Sequence, residues 1–363
     1  MSKKSLYCHI PFCDHICGYC DFVRVGYNND LADKYLIELR HDLKNINEEV
    51  SSIYIGGGTP SSLTIEQLDF LFDSMSHLLS DDIEVTLEAN PESLSLEKIK
   101  RLRKWGVNRI SLGVQSTQDY FLKILGRLHT FENALAVLNN LKNEGLTNVS
   151  VDFMYGLPNQ SLEDVKVDLL QIIDLNPNHI SLYSLTIEPN SEFGRQNIKE
   201  VESTLETQMY LLIQDTLVQH GYIHYEISNY CKPGYQSKHN LGYWNYEDFV
   251  GLGIGASSKI KQSRYTVDKN LNNYLKGNRN NSEVFNLSDK DLMFEHLMMG
   301  LRLKDGLDID AFNNRHDINV LEYYKSAVDK FTNQKMLEIV DNKIKATDKG
   351  RLMLHDILVE LMD

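Results

Sequence analysis

At 363 residues, 42% hydrophobic and 24% charged, the chain can bury a sizeable core, which argues against wholesale disorder. Lysine and arginine number 37 against 51 aspartates and glutamates, a net charge of −14 that disfavours nucleic acid as the default partner. No run approaches the roughly 18 consecutive apolar residues of a membrane helix, and Met1-Ser2-Lys3-Lys4 leads into no apolar signal core, so the expectation is a cytoplasmic protein without stable membrane insertion.

From Leu6 to about Leu185 a strand-then-helix rhythm repeats. Leu6–His9 reads as the first strand, and 31–43 as a helix with Leu31, Tyr35, Leu36, Leu39 and Leu43 at helical spacing. Ser52–Ile55 reads as the second strand and runs into Gly56-Gly57-Gly58-Thr59-Pro60. Thr64, with Gln67 three residues on, forms a capping box for a helix to Leu79. Glu84–Glu88, Arg109–Val114, Val149–Tyr155 and Ile180–Leu185 read as strands three to six, separated by helices after Ser95, over 131–144 and over 162–175. Six such units imply a parallel sheet with right-handed crossovers, and their span is too short for a closed eight-unit barrel. The expected architecture is α/β, a partial (β/α)6 barrel. Its interior should be rich in Val, Ile and Leu, and its chemistry should gather at the C-terminal strand ends.

Beyond the sixth strand the rhythm changes. A helix over 205–220 and a strand over 223–227 precede the polar-aromatic stretch His239-Asn240-Leu241-Gly242-Tyr243-Trp244-Asn245-Tyr246. A glycine-dense run follows, Gly251-Leu252-Gly253-Ile254-Gly255-Ala256-Ser257, and the Asn-rich 270–287 reads as a linker. Helices over 292–301, 308–315 and 320–331, two short strands around Asp341-Asn342 and a last helix to Leu361 predict an α+β winged-helix-like domain. The acidic balance makes it a packing or partner-binding module rather than a DNA reader. The expected division is 1–235, a barrel core; 236–287, an extension; and 288–363, the C-terminal domain.

Three of the five cysteines, Cys13, Cys17 and Cys20, are spaced C-x3-C-x2-C directly after the first strand. Three thiolates suit a 4Fe–4S cluster with one open iron, which could bind the amino and carboxylate groups of S-adenosylmethionine. A structural zinc site would need a fourth ligand, for which His9, His15 or Cys8 is at hand. Cys8 and Cys231 read as buried structural thiols. The triple glycine brings bare backbone close to a ligand. Asp152 interrupts an otherwise apolar strand, a costly position unless it is paired in a salt bridge or contacts a ligand. Arg127 can clamp a carboxylate or cap a helix.

The ordered set formed by the cysteine loop with Tyr7 and His9, Gly-Gly-Gly-Thr-Pro, Glu88, Gly113-Val114-Gln115, Arg127 and Asp152-Phe153-Met154-Tyr155-Gly156-Leu157-Pro158 resembles the radical S-adenosylmethionine superfamily, specifically its coproporphyrinogen dehydrogenase branch. The resemblance covers nearly the whole chain. It implies that Cys13, Cys17 and Cys20 ligate the cluster. It also implies that Tyr7, Tyr19, Gly57, Gly58, Thr59, Glu88, Gln115, Arg127 and Asp152 line the S-adenosylmethionine site, with Thr186 and Ser257 at further positions of the same kind.

Two departures separate this chain from the dehydrogenase. Asp21 stands where the dehydrogenase carries a fourth cysteine, and Tyr7 leaves no room for its N-terminal extension. Both losses are similar to those of the HemW heme chaperones, as is His239-Asn240-Leu241-Gly242-Tyr243-Trp244, which resembles their H-N-x-x-Y-W motif. An imidazole can ligate heme iron and the two aromatics can stack on a porphyrin, so His239, Asn240, Tyr243 and Trp244 become the candidate heme contacts. The implied function is heme transfer to an acceptor, such as a respiratory hemoprotein, by a homodimer linked to cluster binding. Two alternatives stand beside it: oxygen-independent oxidative decarboxylation of coproporphyrinogen III, and radical chemistry on an unrelated substrate.

Overall fold

Alternation decides which face of each strand meets the helices. The computed structural model describes residues 3–279 and 281–362. Met1 and Ser2 of the segment read for a signal, Asn280 of the expected linker, and Asp363 lie outside the described residues. Six strands, β1 (Lys4–Ile10), β2 (Val50–Gly57), β3 (Glu84–Ala89), β4 (Arg109–Gln115), β5 (Val149–Tyr155) and β6 (His179–Ser184), pair in parallel in that order. Between them lie the expected helices, among them Asn29–Leu43, Ile65–Ser74 with the Thr64–Gln67 capping box, and Leu162–Leu175. On each strand every second residue (Leu6, Cys8 and Ile10; Ile53 and Ile55; Val85 and Leu87; Ile110, Leu112 and Val114) joins the fully buried core beneath the helix layer.

The residues between them face the barrel interior, and here the structure differs from expectation. Ser5, Tyr7 and His9, Ser52 and Tyr54, Glu84, Thr86 and Glu88, Arg109 and Ser111, Ser150 and Asp152, and His179 and Ser181 line a polar interior rather than a Val/Ile/Leu one. The apolar half of the alternation serves the outer layer, which leaves the inner face free for chemistry.

Past β6 the sheet continues, first with the strand expected over 223–227 and then with strands that were not. β7 (Ile223–Glu226) and β8 (Asn229–Cys231) add antiparallel strands outside β6. On the other edge β9 (Phe249–Leu252) lies parallel to β1, a seventh parallel strand, and β10 (Ser257–Ile260), β11 (Ser263–Val267) and β12 (Asn281–Asn286) extend it antiparallel. The resulting order, β12-β11-β10-β9-β1-β2-β3-β4-β5-β6-β8-β7, leaves the barrel open because its two edge strands are not neighbours. The glycine-dense run is therefore the end of β9, the turn at 253–256 and the start of β10. Gly251 belongs there because a Cβ would meet the Ser257 carbonyl oxygen at 2.2 Å. The stretch read as a linker contains the helix Leu271–Leu275 and β12, strung with asparagines that cap and turn rather than with hydrophobic periodicity.

The C-terminal segment closes over its own core of Leu297, Leu301, Phe312, Val328, Phe331, Ile344 and Ile357. Its helices surround a small sheet of Leu307–Asp308, Lys343–Ala346 and Leu337–Val340, as the winged-helix-like expectation requires. Among the described residues no helix is long and apolar enough to cross a membrane.

Candidate functional site

The cysteine loop leaves the C-terminal end of β1 and is tied down at several points. Phe12–Cys13 pairs with Val25–Gly26, Ser62 Oγ donates to Asp14 at 2.9 Å, and the Gly18 carbonyl accepts from the Phe193 amide at 2.9 Å. Gly18 lets the loop pass close over Phe193, since a Cβ there would meet the Phe193 ring at 2.6 Å and force it to shift. Cys13 is buried, Cys17 and Cys20 are half-exposed, and Asp21 faces solvent. Burial pushes the Cys13 thiol up to about 11 and that of Cys20 upward, so both are protonated until a metal takes them. Among the described residues no three His, Cys, Asp or Glu side chains are grouped to hold a metal ion.

A chain of hydrogen bonds runs from one cysteine to another. Thr59 Oγ1 points at Cys13 Sγ (3.6 Å) and accepts from Asn90 Nδ2 (3.2 Å). Asn90 Oδ1 accepts from Arg127 Nη2 (2.6 Å), which also reaches the Gly113 carbonyl (2.8 Å), while Arg127 Nη1 lies 3.5 Å from Cys17 Sγ. Arg127 Nε is buried with no partner, a free donor beside the thiols. Tyr19 is half-buried beside Phe121, Leu125 and Phe193, and its phenol is pushed up chiefly by burial.

One layer deeper sits Glu88. Its Oε1 accepts from Tyr54 (2.7 Å) and its Oε2 from the Gly57 amide (2.9 Å); burial nevertheless pushes the carboxyl up to about 7. The triple glycine is explained by this packing. A Cβ on Gly57, which has φ +115°, would strike the His9 ring at 2.4 Å, and one on Gly56 would meet the Glu88 carboxyl at 2.7 Å. Because the Gly57 and Gly58 amides donate to Glu88 and to the Ile10 carbonyl, they are spent inside the protein. Asp152 is held by serines instead of a cation. Ser111 Oγ donates to its Oδ2 (2.6 Å) and Ser150 Oγ to its Oδ1 (3.0 Å). Gln115 ends β4 at a register irregularity with φ +71°, its amide nitrogen turned toward Gly113. Tyr7 stacks on Tyr54 and donates to, or accepts from, His9 Nδ1 at 2.9 Å; His9 Nε2 is bonded to the Val23 carbonyl at 2.7 Å. With both nitrogens used, His9 is no spare metal ligand, and Cys8 points into the outer core. Thr186 and Ser257 are exposed and outside this network, Ser257 Oγ pairing with Thr266 at 3.0 Å.

The polar-aromatic stretch is a helix, Lys238–Trp244, capped by Ser237 and seated in the opposite, N-terminal mouth of the barrel. His239 is buried and both ring nitrogens are engaged, Nδ1 with Ser52 Oγ (2.8 Å) and Nε2 with Tyr243 OH (2.8 Å); its amide donates to Glu84 (3.1 Å). Burial holds its imidazole neutral, down to about 3. Tyr243 meets the Phe249 ring edge-on, and Asn240 is half-buried, its amide donating to Ser237. Arg302 from the C-terminal segment lies 4.4 Å over the Trp244 ring, whose Nε1 is buried without a partner.

This arrangement agrees with comparisons to known proteins. Residues 7–172 match the radical SAM superfamily and residues 287–353 the HemN C-terminal domain. The chain is 39% identical to the heme chaperone HemW of Lactococcus lactis, covering 96% of this chain and 94% of that protein. It is 34% identical to that of Escherichia coli, covering 98% and 97%. The chain belongs to the HemW family of heme chaperones. Its fold matches coproporphyrinogen III oxidase (HemN) of Escherichia coli with a TM-score of 0.86 at 24% identity, covering 99% of this chain and 90% of that one.

The residues at the C-terminal mouth fit the cluster and ligand that a radical SAM fold implies. Three soft thiols share a loop, two polar donors aim at their sulfurs, and Arg127 Nε is buried without a partner, a donor set that suits an anionic ligand. Sequence reasoning missed Asn90 and Tyr54. Asn90 was visible as the polar residue after Glu88-Ala89, and Tyr54 shares the inward alternation of Ser52.

Proposed function

We propose that this protein is a heme chaperone that carries a 4Fe–4S cluster on Cys13, Cys17 and Cys20, binds S-adenosylmethionine beside it, and passes heme to an acceptor, a respiratory hemoprotein. The observation that carries this reading is the near full-length similarity to HemW chaperones. When bound, the cluster supplies an open iron and an electron for a sulfonium. Around it Arg127 offers its unpaired Nε to a carboxylate, and Thr59 and Arg127 set donors on two of the sulfurs. Glu88 keeps lone pairs for ligand hydroxyls beyond those used by Tyr54 and Gly57. Tyr7, Tyr19, Gly57, Gly58, Gln115 and Asp152 complete the lining, with Thr186 and Ser257 at its outer margin.

At the opposite mouth His239, Asn240, Tyr243 and Trp244 form the heme contact, reached after His239 gives up its bonds to Ser52 and Tyr243. The chain divides at 235 and 287 into barrel core, motif-bearing extension and C-terminal domain, acts in the cytoplasm, and forms a homodimer as the cluster binds. Exposed Ile16 and Phe22 on the cysteine loop support that association.

Protein purified without oxygen and reconstituted with iron and sulfide should retain a Soret band through gel filtration after heme is added. Offered coproporphyrinogen, it should form no protoporphyrinogen. Adenosylmethionine-dependent conversion to protoporphyrinogen would overturn the reading.

A further inference from the structure

The two candidate sites lie at opposite mouths of one barrel, and one side chain touches both. Tyr54 projects inward from the middle of β2, between Ser52, which holds His239 Nδ1, and Gly56, against which the Glu88 carboxyl packs. Its hydroxyl donates to Glu88 Oε1 at 2.7 Å, and its ring lies 5.1 Å from the His239 imidazole at an interplanar angle of 32°. On its other flank Tyr7 stacks at 6.2 Å and 30° and is itself bonded to His9. His9, Tyr7, Tyr54, His239 and Tyr243 thus form a continuous run of rings through the polar interior.

A half-buried phenol inside the barrel is more stable with an acceptor than without one. The Tyr54 hydroxyl has Glu88 Oε1 as its hydrogen-bond partner, while Asp152 across the interior is held by Ser111 and Ser150. The hydroxyl is then either bonded to Glu88 Oε1 or released from it by a ligand that draws on that carboxylate. Two discrete arrangements are what a coupling element needs; a continuously deformable contact would dissipate the signal.

We propose that Tyr54 is a positioning residue for both sites: ligand contact at Glu88 re-seats its hydroxyl, and its ring passes that change to His239. The inference rests on the functional reading above. By linkage the effect is reciprocal, so heme at the motif helix alters adenosylmethionine affinity by the same factor.

The test uses reconstituted full-length protein with nitrogen-15 histidine, titrated with S-adenosylmethionine while the His239 ring signals, assigned with His239→Gln, are followed. They move in the wild type and stay in Tyr54→Phe, which keeps the ring and removes the hydroxyl, with cluster absorbance equal in both. Wild-type signals that do not move at saturating ligand overturn the proposal, as do Tyr54→Phe signals that move as far as the wild type's. Ser52→Ala, which loosens His239 without touching Glu88, enlarges the response; an unchanged response counts against the proposal. Heme affinity changes about fivefold or more on adding adenosylmethionine to the wild type and less than about twofold in Tyr54→Phe. If heme fails to bind at all, the chaperone reading fails while the ring signals still decide the coupling. If adenosylmethionine fails to bind, both fall.

Discussion

The two mouths of the barrel are built on opposite principles. At the C-terminal mouth the thiols of Cys17 and Cys20 are half-exposed, Arg127 keeps an unused donor, and Glu88 is a carboxyl held ready at about 7. At the N-terminal mouth His239 is sealed, with both nitrogens bonded, its ring under Tyr54, and Trp244 covered by Arg302. On the proposed reading, one end is preformed for a ligand and the other must open for one. Preorganisation lowers the cost of binding at the first, whereas the second loses affinity in proportion to how rarely it opens.

The comparison breaks most sharply at the cysteines. Cys17→Ser should lose the cluster absorbance entirely after reconstitution, because two thiolates cannot hold the cluster, while heme uptake at the far mouth persists. A variant that kept an intact cluster spectrum would remove Cys17 from the ligand set. Nearly as large is Gly57→Ala. With φ +115° and the His9 ring 2.4 Å from the new Cβ, it should cost about 3 kcal/mol or prevent folding, read as a lowered denaturation midpoint. An unshifted midpoint would show that the turn is not as tightly wedged as its contacts state.

These examples show what was legible in the chain. The strand-helix rhythm, the cysteine spacing and the Thr64–Gln67 cap are local patterns, and local patterns fix elements. The polarity of the barrel interior was misread because period-two alternation marks two faces without saying which one meets the helices. Asp152 looked like a stranded charge only in its own strand; Ser111, which holds it, comes from a neighbour 41 residues away. The seventh parallel strand escaped for a related reason: four residues, Phe249–Leu252, carry too little pattern to announce a pairing with β1. His239 was found through its motif, yet its enclosure by Ser52 and Glu84 is a long-range fact that no window of sequence contains.

The closed mouth can be sharpened with a pair of variants. His239→Ala should weaken heme uptake with unchanged cluster absorbance, and should cost about 2–3 kcal/mol of stability by leaving a cavity and two orphaned hydroxyls. Ser52→Ala removes only one tether. If His239 must be released before it meets heme, that substitution should tighten heme binding about fivefold, the worth of one net hydrogen bond of about 1 kcal/mol. Weaker binding in both variants, measured by heme titration, would mean that the His239–Ser52 bond shapes the site instead of shutting it.

The mildest test uses pH, because the two mouths titrate with opposite signs. Glu88 has its carboxyl raised from 4.5 to about 7, so the folded state holds this proton more tightly than the unfolded chain. Its contribution is present below the unfolded value and is lost as pH rises through about 7. His239, lowered from 6.5 to about 3 by burial, behaves in reverse: its contribution is present above 6.5 and is lost as pH falls toward 3. Between these limits the two partly cancel, which hides both in a wild-type melting curve. Glu88→Gln removes one of them. Its stability relative to the wild type should therefore rise steadily from about pH 5 to about pH 8, by at most about 3 kcal/mol for a shift of this size, and thermal melts at intervals across that range would read it. Parallel curves for the two proteins would show that Glu88 titrates normally, its bonds to Tyr54 and Gly57 just offsetting burial.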